Sequence, residues 1–280
     1  QYLQDIYRFF KLSPYRKEFE DLFSGRLDIY NSEFFRMTCD ASEAEAGLAD
    51  YFFSKNYYSD ALDLFLRLAK DKSDDSQLFE KIAFCYQQEE MYEEALRYYQ
   101  RAELIERKVW TLKKIGLCLR RLDRKEEALD YYLQAGTADP EDMHTAIMTG
   151  HCYLDLRDFE TALKYYFRVE YTDPGNLRIL RPIAFCYFAL GRFEDSEKYY
   201  ERLSPGKLNA HDYINKGHLA LCMGRKKDAV DLYRLGINSG EISREEFMTI
   251  FEEDRSLLLS LGVNQEDLPI LLDYLLFTIG

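Results

Sequence analysis

Apolar and polar positions along the chain follow a helical period, and one amphipathic segment keeps returning. EEALRYYQRA (93–102) comes back as EEALDYYLQA (126–135), ETALKYYFRV (160–169) and EDSEKYYERL (194–203). Fainter copies stand outside these, SDALDLFLRL (59–68) and KDAVDLYRLG (227–236). Aligned on the small residue before the second apolar position, the copies place Ala61, Ala95, Ala128, Ala162, Ser196 and Ala229 in register at a nearly constant interval. A fixed period of this size signals stacked supersecondary units rather than one globular core.

Each unit reads as two helices. Twelve residues before the anchor stands a second small residue: Ala49, Ala83, Gly116, Gly150, Ala184 and Gly217. Three residues further on come Phe52, Tyr86, Leu119, Tyr153, Tyr187 and Ala220, and four after the anchor come Phe65, Tyr99, Tyr132, Tyr166, Tyr200 and Tyr233. Spacings of three and four place these on one helical face. The small pair lets the helices approach closely and the aromatics fill the rim of the contact. Charged turns such as RLDRKEE, and Asp-Pro pairs at 139–140 and 173–174, punctuate the series. Tyr98, Tyr131, Tyr165 and Tyr199 fall on an adjacent face, where packing against the neighbouring unit is expected.

This pattern resembles the tetratricopeptide repeat, a helix–turn–helix of about 34 residues with signature Trp-x2-Leu-Gly-x2-Tyr, then Ala-x3-Phe, then Pro. The unit around Ala128 carries Leu112, Ile115, Gly116, Leu119, Ala128, Tyr132, Ala135 and Pro140 in register; the unit around Ala162 carries Gly150, Tyr153, Ala162, Tyr166 and Pro174. No unit has Trp at the first signature place, and Ala220 in the sixth predicts looser packing there. The resemblance implies an all-α, right-handed superhelical solenoid of about six units over 42–236. Residues 1–41 are expected to be a helical end segment, the tail of an earlier unit or a cap. Residues 237–280 are expected to form a C-terminal helical cap. There Ser243 and Glu246 predict a capping box for a helix running to about Leu261, stopped by Gly262. The last helix, EDLPILLDYLLF, is apolar nearly all round. It is expected either to be sandwiched within the chain or to meet a second subunit through Leu268, Leu272 and Leu275.

The resemblance also implies a concave groove lined by a stripe on each first helix. Carried onto this chain, the stripe is Glu43, Ala46, Asp50 and Phe53; Gln77, Glu80, Phe84 and Gln87; Trp110, Lys113, Leu117 and Arg120; His144, Ile147, His151 and Leu154; Arg178, Arg181, Phe185 and Phe188; and His211, Ile214, His218 and Leu221. All four histidines and the single tryptophan fall on it. The candidate ligand-binding residues are Trp110, Lys113, Arg120, His144, His151, Arg178, Arg181 and Phe185. The arginines would pair with carboxylates and the aromatics would anchor apolar side chains. Two readings of the basic groove stand: it holds a peptide with acidic side chains or a free C-terminal carboxylate, or its charges merely solvate it.

Composition narrows the classes. The 280 residues carry a net charge of −13, the wrong sign for a nucleic-acid binder, so no nucleic-acid partner is expected. No apolar run is long enough to span a membrane. Of the six cysteines, Cys85, Cys118, Cys152 and Cys186 occupy one place in successive units, which marks a buried packing position rather than a disulfide framework. Free thiols favour a reducing, cytoplasmic setting. His144 with His151, and His211 with His218, stand about 10.5 Å apart along a helix, too far for one ion, so no metal is expected. The chain lacks a phosphate loop, a nucleophile elbow and a zinc-binding His-Glu-x2-His pair, so neither catalysis nor a cofactor is expected. The expected role is a protein–protein scaffold or adaptor holding a peptide or protein segment. The alternative is a self-assembly module dimerising through its apolar last helix. The chain opens at Gln1 in mid-helix pattern, and an excised or mature form is expected.

Overall fold

The computed structural model describes residues 41–70, 74–203 and 208–279, so the helical end segment expected over 1–41 lies outside the described residues apart from its last position. Among the described residues all regular structure is helical, and the chain divides into two compact units, Gln1–Asp123 and Arg124–Gly280. In the first, α1 (Ala41–Ser54) pairs with α2 (Tyr58–Leu68), α3 (Ser76–Gln88) pairs with α4 (Tyr92–Ile105), and α5 (Val109–Arg121) packs on α4. In the second, α6 (Lys125–Ala138) packs on α7 (Met143–Asp155), which pairs with α8 (Phe159–Thr172). A 3₁₀ turn at Leu177–Ile179 leads into α9 (Leu180–Ala189), paired with α10 (Phe193–Glu201). Next come α11 (Ala210–Cys222) with α12 (Lys226–Asn238), then α13 (Arg244–Ser260) and α14 (Asp267–Ile279).

The helix starts have local causes. Asp75 accepts from the Leu78 N–H, Asp142 from His144 and Asp158 from Thr161. Asn209–Asp212 and Ser243–Glu246 form complete capping boxes, the latter where the sequence predicts it. Such caps satisfy N–H groups that the first helical turn leaves unpaired. One left-handed residue stands in the turn that follows each of α1, α3, α5, α7, α9 and α11. Asn56, Glu90, Asp123 and Arg157 hold φ between 58° and 62°, and Gly191 and Gly224 hold 72° and 76°. The period of the sequence is thus also a period of backbone conformation, strained in the first four turns and relieved by glycine in the last two. Gly262, at φ 94°, continues the series. It arrives about one helical turn later than the period requires, and α13 is correspondingly long at 17 residues. The last helix, α14, packs on α12, and a cleft of about 260 Å³ lies between Met248 and Phe251 of α13 and Leu268 and Leu272 of α14.

The aromatic wedges form the core. Phe65, Tyr99, Tyr132, Tyr166, Tyr200 and Tyr233 are all essentially inaccessible to solvent, each burial contributing on the order of 2 kcal/mol. The outer tyrosines, expected to pack against the neighbouring unit, also pair within their own repeat. Tyr98 stacks on Tyr86 and Tyr165 on Tyr153, both with ring planes 23° apart, and Tyr199 tilts against Tyr187. Each partner lies on the first helix of the same repeat, the nearest apolar surface available to the adjacent face. Tyr199 also reaches Glu170 of the preceding repeat through its hydroxyl. Ala220, expected to loosen the sixth repeat, is buried in one cluster with Phe247 and Phe251 of α13.

The last helix is half-covered. Leu268, Leu271 and Leu275 are buried in that same cluster and Leu272 packs against it. Arg244 donates to the Leu276 carbonyl and Arg234 to the Thr278 hydroxyl. Of the self-association residues expected from sequence, Leu268 and Leu275 therefore face inward. The exposed apolar stripe is Ile270, Tyr274 and Phe277, at positions i, i+4 and i+7. A helix apolar all round does not say which of its faces the chain will cover.

Candidate functional site

In the first unit the first-helix stripe opens onto a cleft of about 600 Å³ lined by Phe53, Tyr58, Gln77, Glu80, Lys81, Phe84 and Trp110. Phe53, Gln77, Glu80, Phe84 and Trp110 are stripe positions from α1, α3 and α5, so the repeat itself aligns them. The floor is aromatic: the Phe53, Tyr58 and Phe84 rings lie 5.5–5.8 Å apart in tilted and edge-on pairs, the geometry favoured by ring quadrupoles. Trp110 stands at the rim, 42% exposed and edge-on to Tyr99. Concave, mostly apolar clefts of this size with a few polar groups are the usual form of a ligand site.

The charges round the cleft are mostly paired within the unit. Lys81 bonds Asp50. Glu80 accepts from the Thr111 hydroxyl at 2.7 Å and pairs with Lys108, which also holds Glu106 at 2.9 Å. Lys108 and Ser76 together hold the Glu106 carboxyl below its ordinary range. Lys114 differs. Its ammonium lies 5.0 Å from the centre of the Phe84 ring and 5.4 Å from that of Trp110, and among the described residues no carboxylate pairs with it. Burial, aided by Lys113, lowers its pKa.

The residues named from sequence fall out as follows. Trp110, Lys113 and Arg120 are all on α5, Trp110 at the cleft and the two cations half-buried. In the second unit His144 and Arg178 are exposed, each near a helix start with its backbone N–H bonded to a capping side chain, Asp142 or Asn176. His151, Arg181 and Phe185 are engaged inside the fold. The His151 Nδ1 is 2.7 Å from the Tyr166 hydroxyl. Arg181 donates through Nε to both oxygens of the buried Asp212, at 2.8 and 2.9 Å. Phe185 packs between Phe159 and Phe188.

The shared His-x2-Ile-x3-His motif of the fourth and sixth repeats has a structural cause. His218 Nδ1 meets the Tyr233 hydroxyl at 2.8 Å, the counterpart of His151 with Tyr166, and both histidines follow a glycine over which the tyrosine ring lies. Sequence reasoning weighted the histidines and arginines and passed over Tyr58, Lys81 and Lys114, none of which is on the stripe. The aromatic content of the stripe at Phe53, Phe84 and Trp110 was the signal that pointed to the cleft.

Comparison with known proteins agrees with this architecture. A family model described as tetratricopeptide repeat matches residues 114–142. No curated protein sequence matches the chain. Among solved structures, the type IV pilus biogenesis factor PilW is similar with a TM-score of 0.61 at 19% identity, over 76% of this chain and 100% of PilW. PilF of Pseudomonas aeruginosa gives 0.58 at 18%, over 76% and 98%. YrrB, described as a TPR protein with an unusual peptide-binding site, gives 0.52 at 17%, over 71% and 91%. At these identities the likenesses speak to the fold alone. Among the described residues no helix is long and apolar enough to cross a membrane. The regular period and the paired helices, with the matched segment at residues 114–142, give the described residues the all-α fold of tetratricopeptide-repeat proteins.

Proposed function

We propose that this chain is a non-catalytic interaction scaffold that holds an extended segment of a partner protein against its first helices, with the aromatic cleft of the first unit as the main anchor. The observation that carries the reading is the cleft itself: three aromatic rings and Trp110 converge on a concave surface of about 600 Å³. Desolvated aromatic anchors of this kind dominate interface energetics. Lys113 and Arg120 on the same helix supply positive charge on a chain of net charge −13, which favours a segment with acidic groups. His151, Arg181 and Phe185 act indirectly, by fixing the helices that present the exposed residues. Four buried thiols support a reducing, cytoplasmic setting. Site-specific photocrosslinking in the source cells tests the reading: a benzophenone side chain in place of Trp110 should capture a discrete partner, and the same group at the outward-facing Tyr171 should not. Equal capture at both positions, or none at Trp110, would refute it.

A second reading, self-association, is favoured by the exposed Ile270, Tyr274 and Phe277 stripe on α14. Light scattering decides it, since a mass twice that of the 33.2 kDa chain is required.

A further inference from the structure

Resting on the groove reading above, we infer that the first-unit cleft selects a partner segment in which an aromatic or large aliphatic side chain stands next to, or one position removed from, a carboxylate, the apolar group entering between Phe53, Phe84 and Trp110 and the carboxylate meeting Lys114.

Two independent features support this ligand chemistry. The first is shape and polarity. The Phe53, Tyr58 and Phe84 rings leave an open apolar floor, and Trp110 borders it with 42% of its surface in solvent. An apolar side chain laid there removes surface from water on both sides, whereas a polar one would lose its hydration without a partner. The second is charge. Lys81 is bound by Asp50, and Lys108 by Glu80 and Glu106. Glu80 is turned toward Thr111 and Lys108. Those groups neutralise one another and leave little field for a ligand. Lys114 instead rests against the Phe84 and Trp110 rings that border the cleft, without a carboxylate of its own among the described residues. Ring faces offset only part of the hydration that an ammonium loses on burial. A half-buried ammonium in that position gains further from an incoming anion, and the low local dielectric strengthens the gain. Lowered by burial and by Lys113, the Lys114 ammonium would be restored toward its ordinary pKa by a bound carboxylate. The apolar floor and the cation share Phe84 and Trp110, so the two ligand groups must be close neighbours in the partner's sequence.

The single tryptophan of the chain is Trp110, so intrinsic tryptophan fluorescence reports on this cleft alone. Blocked pentapeptides of sequence Gly-Glu-Phe-Glu-Gly, Gly-Gln-Phe-Gln-Gly and Gly-Glu-Ala-Glu-Gly are titrated to millimolar concentration into the full chain and into Lys114→Gln. The expected result is a saturable change with the first peptide, and at least roughly tenfold weaker binding for the second and third, the discrimination of a single lost contact. Lys114→Gln should abolish the Glu-over-Gln preference and keep the Phe-over-Ala preference, with helicity and the unfolding midpoint as controls. Equal binding of the Glu and Gln peptides would overturn the carboxylate assignment. Loss of both preferences in a folded Lys114→Gln would overturn the division of labour between floor and cation. No saturable change with any peptide would overturn the inference altogether; if Trp110 crosslinking still captures a partner in that case, the scaffold reading survives without it.

Discussion

At the scale of single residues, one motif explains more than its sequence suggested. A Cβ at Gly150 or Gly217 would stand 2.7 or 2.3 Å from Cε1 of the Tyr166 or Tyr233 ring. In both places the ring cannot simply retreat, because its hydroxyl is bonded to the histidine that follows the glycine. His218 is itself buried between Tyr233, Phe251 and Asp254, its Nε2 3.3 Å from the carboxylate. Gly217→Ala should therefore cost about 1–3 kcal/mol through overpacking, beyond what alanine gains as a helix former. Urea unfolding measures it, and an unchanged midpoint would mean that the tyrosine ring has room to move. The pairs Gly150–His151 and Gly217–His218 were visible as a recurrence in sequence. Their role was not, because the phenol that completes each bond comes from the other helix of the pair.

At the scale of elements, helix identity and caps were legible in advance and facing was not. The helix from Arg244, its Ser243–Glu246 box and its Gly262 stop follow directly from local rules. Its stop at Gly262 comes about one helical turn later than the spacing of the earlier left-handed turn residues, where sequence periodicity is lost. For α14, composition alone left every face equivalent. The fold turns Leu268, Leu271 and Leu275 inward and leaves Ile270, Tyr274 and Phe277 exposed. Leu275→Asp should accordingly cost about 3 kcal/mol or more, as for an unpaired polar group placed in a core, and lower the thermal midpoint. Phe277→Asp should leave stability within about 0.5 kcal/mol and reduce the light-scattering mass if the outer stripe carries self-association. A stable Leu275→Asp would show that the last helix is not packed as described. Arg181 belongs to the same lesson: on the stripe by register, it is bonded to Asp212 because the next repeat presents a buried carboxylate there.

At the scale of the whole molecule, the repeat multiplies one packing rule. Cys85 and Cys118 in the first unit and Cys186 in the second are buried, and burial pushes each thiol up to about 12; Cys222, half-buried, rises to about 11. A raised pKa means that the folded chain keeps protons the unfolded chain releases. Stability is thus fully present below about pH 8.5, the unfolded thiol value, and falls as pH rises toward the folded values, by about 1.4 kcal/mol per pH unit for each thiol. Urea midpoints between about pH 8 and 10.5 should decline with that sign, and less steeply in a Cys85→Ala, Cys118→Ala, Cys186→Ala variant. A flat profile, or an equal slope in the variant, would deny the thiols this role. What the sequence determined by itself was whatever depends on neighbours one helical turn or one whole repeat apart: the helices, their pairing, the wedge tyrosines and the thiol positions. Those are local or repeated interactions, and a period exposes them. Only the tertiary structure decided what depends on the distance between side chains from different helices. Such contacts bonded Arg181 to Asp212 and His151 to Tyr166, turned one face of α14 inward, and left Lys114 against two rings beside an aromatic cleft with no carboxylate of its own among the described residues.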